Sequence, residues 1–268
     1  MEDIIIKSSD FTPEDSNLQQ LLLEVDETGY KYAIVQNQSV KLIGHHSSAK
    51  FSDNHDLFKT NFAQVKVSLT TKSFTFLPEI YFNQALAHKL KAFINFDEQH
   101  ESILECLINK IDIRSVYTFK NTQLKAVNAS FENPVYFPQF LPIYVGAIQI
   151  AAKTLHPEMF LNFKKEHLEI LILKNGELFF YNIFEIKNKE ELKYFIMLVL
   201  QEKEINAKET SIRLSGNIQT ESSYFKEIDQ LFTDCALVDT LPFIDADENF
   251  TEKPMHQFFS LLSLSLCE

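Results

Sequence analysis

The side chains able to do chemistry are few and scattered. Asp10, Asp26, Glu24 and Glu169 are the carboxylates that a metal-dependent phosphodiester site would recruit. Such a site needs several carboxylates converging on its metal ions. The apolar runs at 21–25, 168–173 and 211–214 carry only Glu24 and Glu169 inside them. The pattern reads as isolated acids, not a nuclease centre.

His45, His46 and His55 form the densest histidine group. Neighbouring side chains in a strand point to opposite faces, so His45 and His46 cannot share a zinc ion without a bend. Asp245, Asp247 and Asn249 are spaced like the opening of a calcium loop. Phe250 stands where the loop needs glycine, however, and His256 stands where it needs a bidentate glutamate. Asp97 to Glu101 reads as an acidic turn. Cys106 lies in an apolar strand pattern and reads as a structural thiol.

The chain has 268 residues, 45% apolar and 13% aromatic, enough for a large core as one big domain or two lobes. Residues 137–152 carry no charge but include Gln, Pro and Tyr and fall short of a membrane span. The opening MEDIIIKSSDF has acids where a signal peptide needs bases. The expectation is a cytoplasmic protein with no membrane insertion. Cys106, Cys235 and Cys267 have no metal-site spacing and fit reduced thiols. A formal charge of -12 with scattered lysines argues against nucleic acid as a partner. Five glycines, and no P-loop, GxGxxG or GxSxG, leave little means of cradling a phosphate.

The elements that must position these groups repeat. Residues 21–25, 30–36 and 40–45 read as a three-stranded meander. A short helix near 54–62, strands at 65–69 and 74–77, and a helix capped by Asn83 follow. Strands at 103–108 and 115–119 precede a helix carrying Leu124, Val127 and Phe131. The apolar segment 142–152 reads as a buried helix joining two halves. A second meander at 160–163, 168–173 and 178–184 leads to a helix begun by Asn188 and Glu191. A strand at 211–214, a helix at 222–232, a short strand at 236–238 and a final helix from Pro254 complete the order.

That order, with the runs FLPEIYF (76–82), NGELFFYNIFEIKNKEELKYFIMLVL (175–200), IRLSGNI (212–218) and the terminal CE, resembles an uncharacterised bacterial family frequent in Bacteroidetes, whose members are described as actin-like. It is similar in architecture to the actin-like pilus-assembly and secretion-system proteins. The resemblance implies an α/β fold with α+β mixed sheets. It consists of two ribonuclease-H-like lobes, residues 1–137 and 138–268, each with a five-stranded mixed sheet flanked by helices.

It also implies three nucleotide loops, here in degenerate form. Asp26 and Gly29 stand at the first, with the glycine displaced by one. Lys174, Asn175 and Gly176 stand at the second, with lysine in place of the metal-positioning aspartate. Ser215 and Gly216 stand at the third, where a paired glycine is missing. The expected cofactor is none, with ATP held by these seven residues as the alternative, and the chain is expected to be a pseudo-ATPase.

Asn175-Gly176 reads independently as a two-residue hairpin turn, with Lys174 opposite Glu177. With 25 phenylalanines and no reaction centre, the expected partner is another protein, or a second copy of the chain.

Overall fold

Two-residue turns between apolar runs leave antiparallel pairing as the way to bury the strands, and each half of the chain is organised around such a meander. A computed structural model describes residues 4–26, 29–47, 61–83, 89–90, 93–152, 156–165, 167–240, 242–251 and 253–268. The expected helix near 54–62 (but for its last two residues), His55 and most of the helix after Asn83 lie outside the described residues.

The chain divides into two compact units. The first comprises residues 1–142, 246–250 and 264–268, and the second residues 143–245 and 251–263.

In the first unit, β1 (Ile4–Lys7), β2 (Gln20–Val25), β3 (Tyr30–Gln36), β4 (Ser39–His46), β5 (Gln64–Leu69) and β9 (Val135–Pro138) form a mixed sheet ordered β1-β4-β3-β2-β5-β9. β6 (Phe74–Pro78), β7 (Glu101–Ile108) and β8 (Ile113–Lys120) form a separate antiparallel sheet ordered β6-β8-β7. α1 (Asn121–Ser130) follows β8. Leu21, Leu23, Tyr32, Ile34 and Val67 of the large sheet pack with Tyr117 and Phe119 of β8 and Val127 of α1. On its other face Lys66 is buried, and its ammonium donates to the carbonyls of Cys267 (2.6 Å) and Ser265 (3.2 Å). These bonds satisfy carbonyls of the chain's last helical turn.

The expected fifth strand of this unit is β9, which sequence reasoning missed because it is four residues long and ends in proline. Pro138, lacking an N–H, is tolerated because β9 is an edge strand. β1 is a further strand beyond the expected five. The Asp247 carboxylate accepts from the Ser9 backbone amide (2.8 Å) and hydroxyl (3.2 Å), and the Asn249 side-chain amide donates to the Lys7 carbonyl (3.1 Å). The calcium-like run is thus a strap on the N-terminal segment.

In the second unit, β10 (Glu158–Phe163), β11 (His167–Lys174), β12 (Glu177–Glu185), β13 (Ser211–Gly216) and β14 (Asp234–Leu237) form a sheet ordered β12-β11-β10-β13-β14. α2 (Phe140–Ile150) precedes it, and α3 (Lys189–Glu202) and α4 (Ser223–Leu231) connect its strands. Met159, Leu161, Ile170, Ile172 and Leu214 pack on Leu192, Ile196 and Val199 of α3 and Ile228 of α4. The Asn188 side chain caps α3 by accepting from the Glu191 amide (2.8 Å), while the Glu191 carboxylate accepts from the Lys187 amide (2.9 Å).

After the four-residue α5 (Glu248–Thr251), the expected final helix is divided into a 3₁₀ turn (Met255–Phe258), α6 (Phe259–Ser263) and a second 3₁₀ turn (Leu264–Leu266). It is buried nearly all round rather than along one stripe.

The two large sheets share one plan at a constant offset of 138 residues across their meanders, the step from Glu24 to Asn162 and from Lys31 to Glu169. Val25 pairs with Tyr30 as Phe163 pairs with Leu168. A bulge falls at Lys41 between β3 and β4 and at Phe179 between β11 and β12. The second meander turn is Asn37-Gln38 in one unit, with φ of 51° and 63°, and Asn175-Gly176 in the other, with φ of 56° and 77°.

Asn175-Gly176 is therefore a hairpin with both central residues left-handed, and Lys174 pairs in register with Glu177. β12 is an edge strand, and Phe179 at its bulge is 41% exposed.

A Cβ on Gly176 would meet nothing within 4 Å, so only its φ constrains it. Gly176→Val is expected to cost about 1 kcal/mol or more, because a β-branched residue resists positive φ. Gly176→Gln should cost less, since Gln38 adopts the equivalent conformation. Chemical denaturation of both variants checks this ordering.

Candidate functional site

In open sheets with parallel strands, ligands gather beyond the carboxyl ends of those strands. In the first unit this is the end of β2 and β5. There the Asp26 carboxylate accepts from the Gly29 amide (2.8 Å), and the Asp26 amide donates to the Gly29 carbonyl (3.0 Å). The Asp26 carbonyl accepts from the Gln123 side-chain amide (2.6 Å). Buried Gln139 accepts from the Thr71 amide (3.0 Å). The hydroxyl of Thr70 and the side-chain carbonyl of Gln123 are buried with no hydrogen-bond partner among the described residues.

In the second unit the same end belongs to β10 and β13. By the 138-residue offset, the turn equivalent to Asp26–Gly29 is Lys164–His167, where the Lys164 amide donates to the His167 carbonyl (2.9 Å). No aspartate stands in it, and the Lys164 ammonium donates to the Ser260 hydroxyl (3.2 Å). The Asn217 amide donates to the Phe163 carbonyl (2.7 Å), and the Ile218 amide to the Gly216 carbonyl (2.8 Å). These N–H groups are turned inward. The Thr240 hydroxyl is buried without a partner among the described residues.

The seven residues expected at nucleotide loops are therefore divided. Asp26 and Gly29 share one turn of the first unit, while Ser215 and Gly216 lie at the carboxyl end of β13. Lys174, Asn175 and Gly176 lie at the opposite end of that sheet. Gly216 pairs with Phe163 at the end of β10, whereas Leu173 pairs with Glu158 at its start. Five residue steps along β13 correspond to roughly 17 Å. Sequence reasoning passed over Lys164–His167; the signal for it was the equal spacing of the two turns in each meander.

Beneath Gly216 a buried polar row crosses four strands. The Glu169 carboxylate accepts from the Tyr181 hydroxyl (2.7 Å) and from the Asn162 side-chain amide. The Ser215 hydroxyl donates to the Asn162 side-chain carbonyl (2.8 Å). Burial, then the neighbouring Glu169 charge, holds the Tyr181 phenol well above its ordinary value. The equivalent first-unit positions are Glu24, Lys31 and Ser68, also buried polar residues.

At the other end of β10, Glu158 is buried and one of its carboxylate oxygens has no hydrogen-bond partner among the described residues. Burial raises its carboxyl above the ordinary 4.5, partly offset by Arg213, with Asp234 pushing the same way as burial. Well below pH 4.5 folded and unfolded states both hold the proton. Above it the unfolded chain ionises first, so stability falls as pH rises through the folded value. Glu158→Gln should lose this dependence, and the difference, about 1.4 kcal/mol for each tenfold difference in proton affinity between folded and unfolded chain, is read by urea denaturation between pH 4 and 7.

The other candidates resolve into local structure. Asp10 pairs with Lys41 (2.6 Å), which holds its carboxyl below the ordinary range. Asp97 accepts from the Gln99 amide and contacts the His100 ring (2.9 Å) as an acidic turn. Burial pushes the Cys106 thiol up, the reverse of what an attacking thiolate needs. His46 lies against the Tyr30 ring, 5.5 Å between centroids. No group of three or more His, Cys, Asp or Glu placed to hold a metal occurs among the described residues, and none of the described helices is long and apolar enough to cross a membrane.

The chain superposes on a crystal structure from Bacteroides thetaiotaomicron VPI-5482, a protein with actin-like ATPase fold and unknown function. The TM-score is 0.78 at 14% identity, covering 96% of this chain and 99% of that one. It also superposes on the PilM-PilN type IV pilus biogenesis complex with a TM-score of 0.67 at 11% identity, covering 93% and 98%. At these identities the likeness shows the fold, which is actin-like with mixed α/β sheets. No curated protein matches the chain in sequence. The resemblance drawn from its motifs is met by a family model matching residues 8–235, and the chain belongs to that family, described as Protein of unknown function (DUF3822).

Proposed function

We propose that this chain is a non-catalytic, actin-like interaction or scaffold protein of the bacterial cytoplasm, each unit corresponding to one ribonuclease-H-like lobe. The observation that carries this reading is the inward use of the groups an actin-like ATPase would turn to phosphate. Asp26 is bound to its own turn, Lys164 stands where a second aspartate would be expected, and the Asn217 amide is held by Phe163. Phosphoryl transfer depends on positioned carboxylates, metal and amides. With the Asp26 carboxylate and the Asn217 amide engaged within the fold, what is left is a binding surface. The likeness to PilM, solved as a complex with PilN, supports a protein partner, and self-association is the alternative.

A second reading, a nucleotide-binding switch without turnover, is favoured by the unpartnered Thr70, Gln123 and Thr240 atoms at the carboxyl ends of the strands. Thermal unfolding with and without ATP, ADP and Mg²⁺ separates the two. The scaffold reading expects no shift in Tm. A saturable shift lost in Thr70→Val or Thr240→Val would replace it with the switch.

A further inference from the structure

We propose that Asn175 is a site of spontaneous deamidation and isoaspartate formation. Asn followed by Gly occurs once in the chain. The pair forms the tip of the β11–β12 hairpin, with Lys174, Asn175 and Glu177 all exposed. Apart from the chain neighbours of Gly176, nothing lies within 4 Å of where its Cβ would be, so the tip has open space on that side.

In the reaction the Gly176 backbone nitrogen attacks the Asn175 side-chain carbonyl carbon. The bond from that carbon to Nδ2 breaks, and Nδ2 takes up the proton lost by the Gly176 nitrogen and leaves as ammonia. Water then opens the succinimide ring at either carbonyl, giving aspartate or isoaspartate. Attack requires Asn175 to swing out of its turn conformation, so the hairpin tip must open first. Glycine makes the approach easy because no side chain crowds the attacking nitrogen.

The molecule carries its own control. Asn37-Gln38 forms the equivalent turn of the first unit, with both residues left-handed and both exposed, and differs in the residue that supplies the attacking nitrogen. The product consequences are also specific. A carboxylate at position 175 stands beside Glu177, and isoaspartate adds a backbone carbon to a turn that closes with two residues.

The test is to incubate the folded full chain at mildly alkaline pH and 37 °C, then map peptides by mass and label isoaspartate with an isoaspartyl methyltransferase. Conversion at Asn175 is expected while Asn37 keeps its amide. Gly176→Gln, which recreates the first-unit turn, should abolish the conversion while leaving circular dichroism and Tm close to those of the unaltered chain. An intact Asn175 in the folded chain overturns the proposal. So does conversion confined to chain held in denaturant, or equal loss at Asn37.

Discussion

Asn162→Leu is expected to destabilise the protein by about 2–5 kcal/mol, the cost of leaving two buried polar groups short of a hydrogen-bond partner. Asn162 donates to the Glu169 carboxylate and accepts from the Ser215 hydroxyl. Glu169 is fully buried. Leucine has similar volume, so little cavity is created, but Glu169 loses its Asn162 donor and Ser215 loses its acceptor. Each stranded group carries its own desolvation cost. Tyr181→Phe removes one donor and should cost less, about 1–3 kcal/mol. Asn162→Leu combined with Glu169→Leu should recover part of the loss, because the carboxyl that lost its Asn162 donor is then gone. A double-mutant cycle by chemical denaturation reads this directly. Additive losses would show that the row does not act as a unit.

Gly216→Ala is expected to be comparably severe, about 3 kcal/mol or more. Two costs act together. Gly216 has φ of +79°, a conformation that side chains rarely adopt. A Cβ there would also lie 2.1 Å from the Phe163 carbonyl oxygen and 2.8 Å from the Phe163 nitrogen. Both are backbone atoms of the neighbouring parallel strand, so relief requires parting β10 from β13. Gly176→Ala is the contrast, since Gly176 shares the positive φ but has open space. A large Tm loss in Gly216→Ala beside a small one in Gly176→Ala is the expected result, and equal losses would show that φ alone dominates.

The fold was legible in the sequence where period and turn chemistry agreed. Tyr30, Tyr32 and Ile34 alternate, Asn188 and Glu191 mark the start of α3, and Asn175-Gly176 fixes the β11–β12 register. β1 and β9 were missed because four-residue strands carry too little pattern to stand out from loops. The candidate site was legible in composition but not in placement. Sequence motifs drew attention to Lys174–Gly176, the more conspicuous turn, whereas the end of the sheet shared with Gly216 is set by strand direction and belongs to Lys164–His167. Glu169 was visible as a lone acid in an apolar run. Its partners Tyr181 and Asn162, and Ser215 bonded to Asn162 in turn, come from three other strands, and only pairing across the sheet unites them.

The central claim is that the turns of this actin-like fold no longer support phosphoryl transfer. Its most direct test is steady-state phosphate release from ATP and Mg²⁺ by the purified full chain, compared with a heat-inactivated control and with Asp26→Ala. No release above the control is expected, and Asp26→Ala should change nothing. Turnover above the control that disappears in Asp26→Ala would contradict the claim.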